Sequence, residues 1–134
     1  MKNIVLYRED GIKTLEFKFQ NPEFSYDSSR HWTTIAASGR KITIYGTSFL
    51  AYDEDVKYEG IAADFSDYWK TDLSNFYSKG EKVLAVFLEN ETPVMFFYGN
   101  AISLHSDGDL YTFYIDNKIV VLHKMHFLII SKDD

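Results

Sequence analysis

The chain has 134 residues, enough for one ordinary domain with a core of its own and too few for two. It contains no cysteine, which excludes disulfides and thiolate-held metals. With 14 Lys and Arg against 20 Asp and Glu the net charge is −6, which argues against a nucleic-acid binder, since phosphate contact needs a basic face, and favours a basic partner.

Aromatic residues make up 17% of the chain, a composition that suits half-buried pleated surfaces. The first elements read as an antiparallel hairpin. Ile4 to Tyr7 is apolar, Asp10-Gly11 is a turn dipeptide, and Leu15, Phe17 and Phe19 then alternate with Glu16, Lys18 and Gln20, the period of a strand with one face buried. Asn21-Pro22 ends it. Residues 21–38 are less regular and read as a long loop with a short strand at Trp32 to Ala36. Lys41 to Tyr45 is a strand, and Ser48 to Tyr52 is expected to continue its sheet after Gly46. Asp53-Glu54-Asp55 is an acidic turn, and Val56 to Ile61 a further strand.

The next segment carries helical spacing. Phe65, Trp69, Leu73, Phe76 and Tyr77 recur at intervals of three and four, one stripe of a helix over about residues 64–79. Asp64 suits its cap, with Asp67 three residues on, and Gly80 its C-terminal stop. Strands then return. Val83 to Leu88 is continuously apolar, as in a central strand covered on both faces. Val94 to Tyr98, Ile102 to His105, Leu110 to Ile115, Ile119 to Leu122 and Phe127 to Ile130 follow. The turns between them include Ser106-Asp107-Gly108-Asp109, with a glycine available for positive φ, and Asp116-Asn117-Lys118. The expectation is an α+β fold in a single domain over residues 1–134: antiparallel β-sheets built from hairpins and a meander, with one main amphipathic helix on one face.

Signals for catalysis are missing. There is no G-x-S-x-G elbow, no cysteine nucleophile and no Gly-rich phosphate loop. His123 and His126 are three apart, but strand-like flanks turn their rings to opposite faces, so structural histidines are expected and no metal or other cofactor. The carboxylate pairs Asp53/Asp55 and Asp107/Asp109 sit in turns with no apolar pocket to raise a pKa. Most aromatics read as core; Tyr52, Tyr58 and Tyr111, placed on loops, are candidate interface anchors. The opening residues lack the apolar region of a signal peptide, and no apolar run approaches the roughly 20 residues of a membrane span. A cytoplasmic protein that is not an enzyme is expected.

Asp64-Phe65-Ser66-Asp67-Tyr68-Trp69-Lys70-Thr71-Asp72-Leu73 resembles a D-[FY]-x-x-x-W-x-x-x-L helix of immunity proteins from bacterial contact-dependent growth-inhibition systems. The apolar strand Val83 to Phe87 follows at a similar distance, and Leu110 to Asn117 with Ile119 to Leu122 is similar to that family's paired strands around a turn Asn. The resemblance covers about residues 60–123, with a weaker strand at Ile102, Leu104 and His105. It implies an immunity protein that binds the C-terminal domain of a cognate toxin one to one and blocks its active or substrate-binding surface. The toxin would be a basic nuclease acting in the cytosol. Asp64, Phe65, Trp69 and Leu73 would be framework. Acidity then nominates Asp53, Glu54, Asp55, Asp107 and Asp109, with Tyr111, as toxin contacts. The expected protein touches neither nucleic acid nor membrane. The readings set beside it are a mobile-element-encoded acidic inhibitor of a host nucleic-acid enzyme and a small-ligand pocket within the sheet.

Overall fold

A computed structural model describes residues 2–7, 13–60 and 82–131. The strands among them are β1 (Lys2–Tyr7), β2 (Lys13–Phe19), β3 (Glu23–Asp27), β4 (Trp32–Ala37), β5 (Arg40–Ile44), β6 (Ser48–Asp53), β7 (Lys57–Gly60), β8 (Lys82–Leu88), β9 (Pro93–Gly99), β10 (Ile102–Asp107), β11 (Leu110–Ile115), β12 (Lys118–His123) and β13 (Met125–Ser131). They form a six-stranded sheet in the order β10-β11-β12-β6-β1-β2, a four-stranded sheet β13-β8-β9-β7 and a three-stranded sheet β3-β4-β5. Every described pairing is antiparallel.

The α+β expectation is therefore corrected to an all-β architecture: no helix occurs among the described residues. The physical reason is that sheets cover sheets. The six-stranded sheet lies in the middle. Alternate residues of β6 and β12 go to opposite sides: Leu50, Tyr52, Val120 and Leu122 join Leu84, Val86 and Phe97 of the four-stranded sheet. Phe49, Ala51 and Val121 join Ile35 and Ile44 of the three-stranded sheet. Because both faces are covered, β6 and β12 read in the sequence as unbroken apolar runs, Phe49 to Tyr52 and Ile119 to Leu122. The helix expected at about 64–79, with Asp64, Phe65, Trp69 and Leu73, lies outside the described residues.

Two further readings change. The stretch read as a loop before Trp32 contains β3, whose five residues all pair with β4. The strand after Gly46 does not continue the sheet of β5. Gly46 has φ 75°, and β6 leaves to pair with β1 and β12 in the central sheet. The β1–β2 hairpin matches its alternating pattern, with Ile4 opposite Phe17 and Leu6 opposite Leu15.

The β11–β12 turn locks one end of the central sheet. Asp116 and Asn117 have φ 48° and 70°, the pair of positive values that a two-residue type I′ hairpin loop demands. The Asp116 carboxylate accepts hydrogen bonds from Asn100 N and Ala101 N at 3.0–3.1 Å, tying the β9–β10 connection to this turn. Gly99 sits beneath it, where a Cβ would overlap the Ile115 side chain. Asp116→Ala removes a charged acceptor and a residue tolerant of this backbone, and is expected to lower stability by about 1–3 kcal/mol in urea unfolding.

Candidate functional site

The two acidic turns occupy opposite ends of the central sheet. Strand β11 runs between them, and the five steps of about 3.4 Å between its first and last residues put roughly 17 Å between the ends. At the first end Asp53 is committed internally. Its Oδ1 lies 3.4 Å from Lys2 Nζ and its Oδ2 accepts from Ile119 N at 2.7 Å. Glu54 and Asp55 are exposed, and the Asp55 carbonyl accepts from Lys118 Nζ at 3.0 Å. This turn closes the β6–β7 connection, with Val56 N bonded to Asp53 O.

At the second end the β10–β11 turn is clamped by the three-stranded sheet. Gly108 has φ 58°, as the first position of a type II′ hairpin turn requires. The Tyr26 ring of β3 lies directly against it, so that any Cβ at 108 would overlap the ring. Past the glycine, Tyr26 Oη donates to Asp109 Oδ2 at 3.3 Å and also lies 3.3 Å from His31 Nδ1. Burial, then the adjacent Asp109 charge, push the Tyr26 phenol up. The Asp109 carbonyl accepts from Lys124 N at 3.1 Å, and Ser48 Oγ donates to the Lys124 carbonyl at 2.7 Å. Asp107 stands exposed on the same turn.

The β3–β4 turn that presents His31 is itself organised by a carboxylate. Asp27 Oδ1 accepts from Ser29 Oγ at 2.7 Å, Ser29 N at 3.0 Å and Arg30 N at 3.2 Å. The Ser29 hydrogen bond chiefly holds its carboxyl below the usual range. The Arg30 guanidinium stacks over Trp32 at 4.9 Å, a contact that orders the outside of the turn.

Beneath this surface lies a buried polar link. Thr33 is the cross-strand neighbour of Tyr26, and His123 that of Leu110. Thr33 Oγ1 and His123 Nδ1 approach to 2.7 Å, both residues being fully buried. The His123 ring stacks on Phe49 at 5.2 Å and 7°. Its Nε2 is buried with no hydrogen-bond partner among the described residues. A neutral ring with its proton on Nδ1, donated to Thr33, leaves only a lone pair unpaired. Burial lowers the His123 pKa to about 4, with Asp109 opposing the shift and Lys124 adding to it.

The structure thus groups Asp107 and Asp109 with Tyr26, His31, Thr33 and His123, and leaves Asp53, Glu54 and Asp55 at the far end. Tyr111 is not on a loop: it lies in β11, half-buried on the other face, its ring edge-on to Phe127 at 5.2 Å. Tyr52 is likewise not on a loop but buried in β6, while Tyr58 is exposed on β7. His126 is exposed and apart from buried His123. No group of three potential metal-ligating side chains forms among the described residues, and no helix among them is long and apolar enough to cross a membrane. Tyr26 and Thr33 carry no motif; only contacts between residues 83 and 90 positions apart in the chain reveal them. No family model, curated protein or solved structure matches the chain.

Proposed function

We propose that this chain is a cytoplasmic immunity protein that neutralises a cognate toxin domain, a basic nuclease, by covering its active or substrate-binding surface in a one-to-one complex. The observation that carries the reading is the Asp107-Gly108-Asp109 turn. Its two carboxylates stand on a hairpin end clamped by Tyr26 and the Lys124 amide. A rigid acidic projection binds cations with less ordering entropy to overcome than a free loop. It also steers a basic partner through long-range attraction, to which the net charge of −6 adds. The resemblance of residues 60–123 to immunity proteins supplies the class of partner, and the protein needs no cofactor for this role.

Of the nominated contacts, Asp107 and Asp109 are preferred to Asp53, whose two oxygens are both engaged by the protein itself. Co-expression with the C-terminal domain of the protein encoded immediately upstream tests the reading. Cells are expected to survive that domain only when this chain is present, and the two proteins to co-purify at equal stoichiometry. Death of cells that contain abundant folded protein, with no complex in purified mixtures, overturns it. Recovery of a host nucleic-acid enzyme in place of the upstream domain assigns the acidic turn to a different partner.

A further inference from the structure

The six edges of the described sheets are not alike. A strand edge presents unpaired backbone groups, and proteins blunt it with lysine, other charges, proline, a bulge or brevity. Lys13, Glu16 and Lys18 guard β2; Glu23 and Asp27 guard β3; Arg40 and Lys41 guard β5. The edge strand β7 has four residues, two of them Lys57 and Glu59. Only β10 and β13 lack such protection among the described edges. Strand β13 carries no Lys, Arg, Asp, Glu or Pro, and β10 no charge before its last residue, Asp107. Both pair with their single described neighbour in unbroken register.

These two edges lie on the same side of the molecule, because Tyr111 and Phe113, next to β10, pack edge-on against Phe127 of β13. Charge distinguishes them. Lys124 stands immediately before β13, whereas β10 runs straight into Asp107 and Asp109. Strand β10 is also the more exposed, with every residue from Ser103 to Asp107 open to solvent. Leu104, 45% exposed, stands on the face of its cross-strand partner Phe113. Tyr114, 46% exposed, stands on the opposite face beside Ser103.

We infer that β10 is the docking rail for the partner: an extended segment of a basic protein adds to it as a seventh strand of the central sheet. Main-chain hydrogen bonds along Ile102 to Asp107 supply affinity. Alternate side chains of the added strand meet Leu104 on one face and Tyr114 with His105 on the other. Basic residues at one end of the segment reach Asp107 and Asp109, which fixes its position along the rail. The inference rests on the proposed basic toxin partner and adds its mode of attachment.

Hydrogen exchange of the unmodified protein, free and mixed with the C-terminal domain of the upstream-encoded protein, reads the rail directly. Alternate amides of residues 102–107, those turned away from β11, are expected to slow in the complex. In parallel, Leu104→Lys is expected to weaken binding about 10- to 100-fold with an unchanged melting temperature, while Leu15→Lys on the opposite edge leaves affinity as it was. A complex that leaves β10 exchange unaltered, protects β13 instead, or tolerates Leu104→Lys overturns the rail and leaves the toxin-binding reading standing. Failure of the unmodified proteins to form any complex overturns that reading and the rail with it.

Discussion

Phe49→Ala is expected to lower the free energy of unfolding by about 3–5 kcal/mol, the range for deleting a buried aromatic ring. Phe49 is fully buried, on a strand in the middle of the central sheet. Its ring is sandwiched between Phe24 of the three-stranded sheet at 6.1 Å and His123 of its own sheet at 5.2 Å. Removal leaves a void bounded by two aromatic rings from different layers, and both are held elsewhere, Phe24 by its strand and His123 by Thr33. The site therefore collapses poorly. Urea unfolding measures the change; a loss below about 1 kcal/mol would mean that the layers can close over the gap, contrary to the close packing expected of such an interior.

The second large effect is acid sensitivity. The His123 pKa is lowered to about 4 in the folded protein, against about 6.5 in an unfolded chain. Between those values the unfolded state binds more protons, so stability rises with pH there. The contribution is complete above about 6.5 and is lost as pH falls to about 4, a difference of about 3 kcal/mol at most. A charged imidazolium would place a second N–H at Nε2, which has no partner among the described residues, beside the Phe49 ring. Asp109 and Lys124 are the charges that act on the ring, and of the two Asp109 favours its protonated form. His123→Gln is expected to flatten the stability profile between pH 6.5 and 4. An equally steep profile in that variant would place the acid sensitivity on other groups.

Much of the strand order is legible in the sequence because it rests on local patterns. Alternation marks Leu15 to Phe19, and Gly108 and Asp116-Asn117 mark hairpin turns whose φ values follow. Unbroken apolar runs mark β6, β8 and β12, yet such a run says only that both faces are covered and not by what. The helix of the expected α+β fold rests instead on the spacing of Phe65, Trp69, Leu73, Phe76 and Tyr77, outside the described residues, whereas sheets are what cover β6 and β12. Strand β3 carries the same alternation, Phe24 and Tyr26 against Glu23, Ser25 and Asp27, but over only five residues between Pro22 and the Ser28-Ser29 turn, and its partner β4 supplies the ladder. The same limit applies to the site. Acidic turns are visible as composition, but which of them is clamped depends on Tyr26 reaching across to Gly108. His123 follows the apolar run Ile119 to Leu122, a cue to its burial; its partner Thr33 has no counterpart in the pattern.

The central claim is that the Asp107–Asp109 end, and not the Asp53–Asp55 end, meets a basic partner. Association kinetics with the C-terminal domain of the upstream-encoded protein, for Asp107→Lys and Glu54→Lys at low and high salt, test it most directly. Both variants change the net charge equally and both alter exposed residues, so they differ only in position. Asp107→Lys is expected to slow association about tenfold at low salt and to flatten its salt dependence, while Glu54→Lys stays within about twofold of the unmodified chain. Equal rates for the two variants, or a larger effect at Glu54, would contradict the account.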